Sequence, residues 1–206
     1  MATFVEVHPD NPQPRTVGKV VERLREGALV AFPTDSGYAL GGRLDDQAIK
    51  DRIGEIRRLD DKHHYTLLCA DFAQLGQLVH VDNAIFRAVK TATPGPYTFI
   101  LPATKEVPRR LLHAKKKTVG VRIPDHPLSQ ALLAGLGDPM LISTLLLPGE
   151  SRTPTFGWDV KEELDHQVDI VIDAGEVSTE PTTVVDLSSG VAEIARYGAG
   201  DATPFE

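Results

Sequence analysis

The chain has a single cysteine, Cys69, among its 206 residues. It sits in an apolar run without a partner, which excludes an intrachain disulfide and fits a reducing compartment. No apolar run reaches the roughly eighteen residues that a membrane-spanning helix needs, so no membrane partner is expected. The opening Met1-Ala2-Thr3-Phe4-Val5-Glu6 lacks the basic and long apolar regions of a secretory leader, and a cytoplasmic location is the expectation. Positive charge is scarce: 22 Lys and Arg against 29 Asp and Glu leave a net charge of −7. Global charge therefore disfavours nucleic acid, and any such contact needs a local patch. A Ser-His-Asp order, a Walker loop, zinc-ligand spacing and a G-x-G-x-x-G fingerprint are all missing, and no bound metal or prosthetic group is expected. No pair of catalytic carboxylates can be assigned; Asp35 is the one acidic candidate, and the catalytic residues stay unknown. Without a repeat, a low-complexity tract or a linker, residues 1–206 read as one domain, long enough for a sizeable core.

What is present is organised around Val30 to Gly42. An apolar run, Ala28 to Phe32, reads as a buried strand that stops at Pro33, which cannot donate a ladder hydrogen bond. Thr34, Asp35, Ser36, Gly37, Gly41 and Gly42 follow as a loop. Hydroxyls and glycines just beyond a strand end suit an oxygen-rich ligand, although an ordinary strand and turn has the same composition. Helical spacing marks Val17 to Leu24, the Ile49–Ile53–Ile56 face behind Asp45 or Asp46, a short segment after Asp71, another after Asp82, Pro127 to Leu133, and Asp159 to Leu164. Strands are expected at 4–7, 65–70, 97–101, 118–123, 140–147, 169–172, 183–187 and 192–197. Pro148 to Trp158 is polar and turn-rich and reads as a mobile loop over a site. Helices and strands alternate early and strands cluster late, which fits an α/β fold with helices packed on a mixed sheet.

Several groups could carry chemistry. Arg122 lies inside an alternating strand, where a guanidinium needs a carboxylate or phosphate; an internal salt bridge and a bound ligand both satisfy it. Thr182 and Thr183 enter a strand and could hold anionic oxygens, or be plain strand sequence. Adjacent His63 and His64 point apart in extended chain and lack a third ligand at metal spacing. A basic run, Lys105, Arg109, Arg110, Lys115, Lys116, Lys117 and Arg122, could meet RNA phosphates or be a solvated face.

The Pro33-Thr34-Asp35-Ser36-Gly37-Tyr38-Ala39-Leu40-Gly41 block resembles the nucleotide-binding signature of the YrdC/YciO family of threonylcarbamoyl-AMP synthase-like proteins, the YciO branch in particular. Blocks at 94–99, 118–127, 139–149 and 181–187 follow in that family's order. The resemblance implies a single twisted mixed β-sheet with packed helices around a wide open cleft, a YrdC/RibB-like arrangement. It implies an adenine nucleotide, ATP or AMP with Mg²⁺, near Arg57, Thr118, Thr144 and Arg196, and a threonine-like molecule near Thr34, His64, Arg122 and Thr182. It also implies double-stranded RNA or tRNA as a partner for the basic run, in the tRNA threonylcarbamoyladenosine pathway. Unaided, Arg196 reads as a surface arginine. The synthases carry Lys-x-Arg and Ser-x-Asn motifs; here ungapped counting puts Arg57 and Leu59 at the first, and Thr144 and Leu146 at the second. Losing one charge-assisted bond costs about 1.5–3 kcal/mol, so two leucines imply roughly a hundred-fold or worse penalty on triphosphate binding.

Overall fold

The computed structural model describes residues 1–60 and 63–206. Among them, ten strands form one mixed sheet: β1 (Thr3–Glu6), β2 (Val30–Thr34), β3 (Gly37–Arg43), β4 (Thr66–Leu68), β5 (Tyr97–Pro102), β6 (Thr118–Arg122), β7 (Met140–Thr144), β8 (Ile170–Asp173), β9 (Thr183–Asp186) and β10 (Glu193–Arg196). Their order across the sheet is β1-β8-β2-β3-β7-β4-β6-β5-β9-β10. Six helices pack on it: α1 (Pro14–Arg25), α2 (Gln47–Arg57), α3 (Phe72–Leu78), α4 (Asn83–Ala92), α5 (Pro127–Leu136) and α6 (Gly157–Leu164). Asp46, Asp71 and Asp82 accept hydrogen bonds from first-turn N–H groups of α2, α3 and α4, and prolines open α1 and α5. None of these helices is long and apolar enough to cross a membrane.

Strand alternation sorts the sheet side chains into two cores. On one face Leu40, Leu67, Phe99, Val121 and Leu141 pack with Ile49 and Ile53 of α2 and with Leu164 of α6. On the other, Phe32, Met140, Ile142 and Ile170 pack with Val20 and Leu24 of α1 and Leu132 of α5. This second layer reaches Leu68 of β4 and goes no further. The register pairs Leu68 with Arg122, Thr66 with Gly120 and Ile100 with Gly120, so those residues continue the same face across β6 and β5. There α1 and α5 do not extend, and a cleft opens instead.

Two expectations change. The stretch read as a loop is a tight hairpin: β2 runs through Pro33 to Thr34, and β3 starts at Gly37. The Tyr38 carbonyl accepts from Leu145 on the β7 side, so Tyr38 and Pro33 form a pair that exchanges no ladder bonds. The nitrogen of Pro33 faces away from β3, where pairing with β8 covers only Val30 and Ala31, and no bond is lost. Gly41 serves packing rather than ligand approach, since a Cβ there would lie 2.7 Å from Phe32 Cε1. The second change concerns residues 148–158. Their buried Thr153 is tied to Ser178 and Thr179, and they border a separate hollow with Glu55 and Arg58.

Candidate functional site

The cleft has a volume of about 270 Å³. Its floor is the uncovered sheet face, with Thr66, Thr98, Ile100 and Val184 around Gly120. A Cβ at 120 would come 2.8 Å from Thr66 Oγ1 and 3.2 Å from Thr98 Cγ2, so the floor stays open only with glycine there. Thr98 and Thr182 share a hydrogen bond of 3.0 Å between their hydroxyls.

Two arginines flank this floor. Arg196, from β10, donates through Nε to the Thr182 carbonyl (2.9 Å) and through Nη2 to the Thr182 hydroxyl (2.8 Å). Arg57 reaches in from the end of α2, donating to Ser143 Oγ (2.5 Å) and to the Leu146 carbonyl (3.0 Å). Among the described residues neither arginine has a carboxylate partner and no carboxylate lines the cleft. Burial, then repulsion from Arg196, pulls the Arg57 pKa down to about 10. Burial, then the Arg122 charge, lowers that of Arg196. Uncompensated, half-buried guanidinium groups beside hydroxyls are built to receive an anion.

The histidines form the third wall. His64 Nε2 lies 3.0 Å from Thr118 Oγ1, and its ring stacks on His113 at 4.5 Å. Burial, followed by His113, lowers its pKa. His63 also lines the cleft; burial, then Arg57 and His64, brings it down to about 4. Among the described residues no group of three His, Cys, Asp or Glu side chains could hold a metal ion.

Thr34 and Arg122 meet each other rather than lining the cleft. Arg122, 1% exposed, donates Nη2 to Thr34 Oγ1 (3.1 Å) and to Asp35 Oδ1. In a flat sheet β2 and β6 would stand about 19 Å apart, at about 4.8 Å per strand. The hairpin end must therefore fold over the sheet face toward Arg122.

Of the residues singled out from sequence, Arg57, His64, Thr144, Thr182 and Arg196 line one cleft, and Thr118 stands behind His64. Arg196 is half-buried and faces the cleft, unlike the surface arginine that its spacing suggests. Leu59 packs on the core and borders a different hollow with Lys50 and Tyr65; Arg58 also points elsewhere. The basic run divides: Lys105, Arg109, Lys115 and Lys117 are exposed, Lys116 pairs with Asp186 (3.3 Å), and Arg110 donates to the Leu44 carbonyl (3.1 Å). Arg122 is interior and does not belong to that surface. Sequence reasoning missed Thr66, Thr98 and Ser143. The signal for Ser143 was available, as a hydroxyl interrupting the apolar run from Met140.

The chain is thus a mixed α/β protein whose open sheet leaves one half-face bare, with arginines at the rim of the cleft. A family model for Sua5/YciO/YrdC, described as "Telomere recombination", matches residues 22–198, and the chain belongs to that family. It is 48% identical over 205 residues to Escherichia coli YciO, described as an uncharacterized protein, covering 100% of both chains. The crystal structure of E. coli YciO superposes with a TM-score of 0.98. A threonylcarbamoyl-AMP synthase of Vibrio vulnificus is 30% identical over 157 residues, 75% of this chain and 83% of that protein. Sua5 of Pyrococcus abyssi, solved in complex with L-threonine, matches with a TM-score of 0.87 at 28% identity, over 96% of this chain and 58% of that one.

Proposed function

We propose that the chain binds an adenylate, as AMP or an acyl-AMP, with its phosphate between Arg57 and Arg196 and a threonine-like group toward His64 and Thr182. The observation that carries this reading is the pair of half-buried arginines without a carboxylate partner among the described residues. Kinship to proteins named threonylcarbamoyl-AMP synthase, and to a Sua5 that holds L-threonine, supports the same ligand class. Leu59 lies outside the cleft and the Leu146 side chain does not line it, so the outer phosphates of ATP find fewer donors than the α-phosphate does. Among the described residues no carboxylate lines the cleft, so Mg²⁺ would enter on a nucleotide's own phosphates. The reading thus favours an adenylate binder of the tRNA threonylcarbamoyladenosine pathway in which ATP-driven synthesis is weak. The buried thiol of Cys69, pushed up to about 12 by burial and Asp71, suits a cytoplasmic setting.

Calorimetric titration of AMP and ATP, with and without L-threonine, tests it, alongside pyrophosphate release from ATP, bicarbonate and threonine. AMP should bind at least as tightly as ATP, with little pyrophosphate formed. ATP binding ten-fold tighter than AMP would overturn the reading. A second reading, contact with double-stranded RNA or tRNA, draws on Lys105, Arg109, Lys115 and Lys117, which are exposed and free of carboxylate partners among the described residues.

A further inference from the structure

The two edges of the sheet differ. At the end that bears the cleft, β10 meets β9 through a bulge between Ile194 and Arg196, which twists that edge and spoils it as a template. At the other end β1 runs unbroken beside β8, from Thr3 opposite Ile170 to Glu6 opposite Asp173, and among the described residues no strand lies beyond it. The N–H groups of Thr3 and Val7 donate to the carbonyls of Asp169 and Asp173, each at 2.8 Å. Backbone groups alternate along a strand, so the N–H and C=O of Phe4 and Glu6 point away from β8, off the sheet. Apolar surface flanks this edge on both faces. On one, Trp158 stacks on Phe4 at 4.2 Å yet stays 60% exposed, and nearby in the chain Phe156 is 43% exposed. On the other, a groove between the edge and α1 is lined by Val5, Val20 and Ile170 and carries Lys19, Glu22 and Arg23. An open strand edge continuous with exposed aromatic rings is a docking surface.

We infer that this edge pairs with the same edge of a second copy, antiparallel about a two-fold axis through Val5. That register sets Phe4 of one copy opposite Glu6 of the other, and such a pair exchanges both N–H···O=C bonds. Every outward N–H and C=O of Phe4 and Glu6 then finds a partner. Val5 meets its own copy at the closer position without ladder bonds, where apolar β-branched side chains suit each other. Glu6 falls opposite Phe4 rather than opposite another Glu6, where like charges would repel. The groove mixes Glu22 with Lys19 and Arg23, so two copies turned about the axis offer each other opposite charges. A four-residue strand alone buries far less than the roughly 1,000 Å² that a specific interface needs, so Trp158, Phe156 and the groove complete it. A short extended peptide would cover the strand and leave those flanking surfaces bare; a second copy presents the same surfaces across the axis. The clefts, on β4, β5 and β10 toward the other end of the sheet, stay open, so the pairing stands or falls apart from the adenylate reading.

The experiment is sedimentation equilibrium from micromolar to submillimolar protein, on wild type, Glu6→Pro, Val5→Lys and Val5→Glu. Wild type should reach the mass of two chains. Glu6→Pro removes an N–H that β8 does not use, so it should weaken dimerisation about ten-fold or more while the chain stays folded. Val5→Lys and Val5→Glu each set like charges face to face at the axis and should be monomeric alone, whereas their equimolar mixture should dimerise. A wild type that stays monomeric at every concentration overturns the proposal. So does a dimer that Glu6→Pro leaves equally tight, or a mixture of the Val5 variants that stays monomeric. Should the variants fail to fold, Trp158, the chain's one tryptophan, decides in the wild type. Its emission should move to shorter wavelength as the dimer forms, and an emission unchanged across that transition overturns the proposal.

Discussion

One face of the sheet has two halves built to opposite rules. Under α1 and α5, β2, β7 and β8 present Phe32, Met140 and Ile170 to an apolar layer. A few strands along, β4 and β5 present Thr66 and Thr98 to a cleft, around Gly120 of β6. The first half stabilises the fold by removing apolar area from water; the second leaves polar groups half-satisfied, which gives it a capacity to bind. Stability and function are thus laid side by side on one surface. Substitutions should separate them cleanly.

The largest separation should come from Phe32→Ala, which empties a fully buried site in the covered half and should cost about 3–5 kcal/mol in denaturant unfolding. Thr98→Val, in the bare half, should cost only about 1 kcal/mol, the worth of its bond to Thr182. Comparable losses would erase the distinction between the halves.

Acid should act on the bare half next. His63 has a pKa of about 4 in the folded chain against an ordinary 6.5. The unfolded chain therefore takes up its proton first, so stability is whole above pH 6.5 and falls as pH drops toward 4. The loss is at most about 3.5 kcal/mol, at about 1.4 kcal/mol per pH unit. His63→Gln should flatten that stretch of the unfolding-midpoint profile, and an unchanged slope would assign it to other groups.

Arg57→Ala and Arg196→Ala should each weaken AMP binding by about 1.5–3 kcal/mol in calorimetric titration. Neither should lower stability much, because each removes a half-buried charge that has no counter-ion among the described residues. A loss of stability without a loss of AMP affinity would make the arginines structural and the cleft incidental. The smallest effects belong to the outer surface. Lys115→Ala or Lys117→Ala should weaken any double-stranded RNA binding by less than about 1 kcal/mol and flatten its salt dependence. Lys116→Ala should do less, since Asp186 already neutralises that charge.

Much of this division could be read in the chain before folding. Val17 to Leu24 and Ile49-Ile53-Ile56 carry helical spacing, and both segments bury those residues. Thr118-Val119-Gly120-Val121-Arg122 alternates, and alternation alone sends the valines to the core and the other three to the cleft side. What stayed hidden depended on contacts distant in sequence. β3 reads as a loop because its glycines look like turn residues, and Gly41 is explained by the close approach of Phe32, Ile142 and Met140. Arg122 could be paired or poised for a ligand; which carboxylate lies near it depends on how the hairpin folds over, and no local pattern encodes that. Arg196 looked like a surface residue because β10 is short and alternately exposed, and its bonds to Thr182 come from strand pairing with β9.

Arg57 is held by the main-chain oxygen of residue 146, not by whatever side chain that residue bears. Such an anchor is indifferent to drift in the codon that specifies it. A lineage can exchange a polar residue for leucine at this place and still pass on a guanidinium aimed at the same spot. A motif scored letter by letter would record a loss at 146 while this part of the architecture is inherited whole.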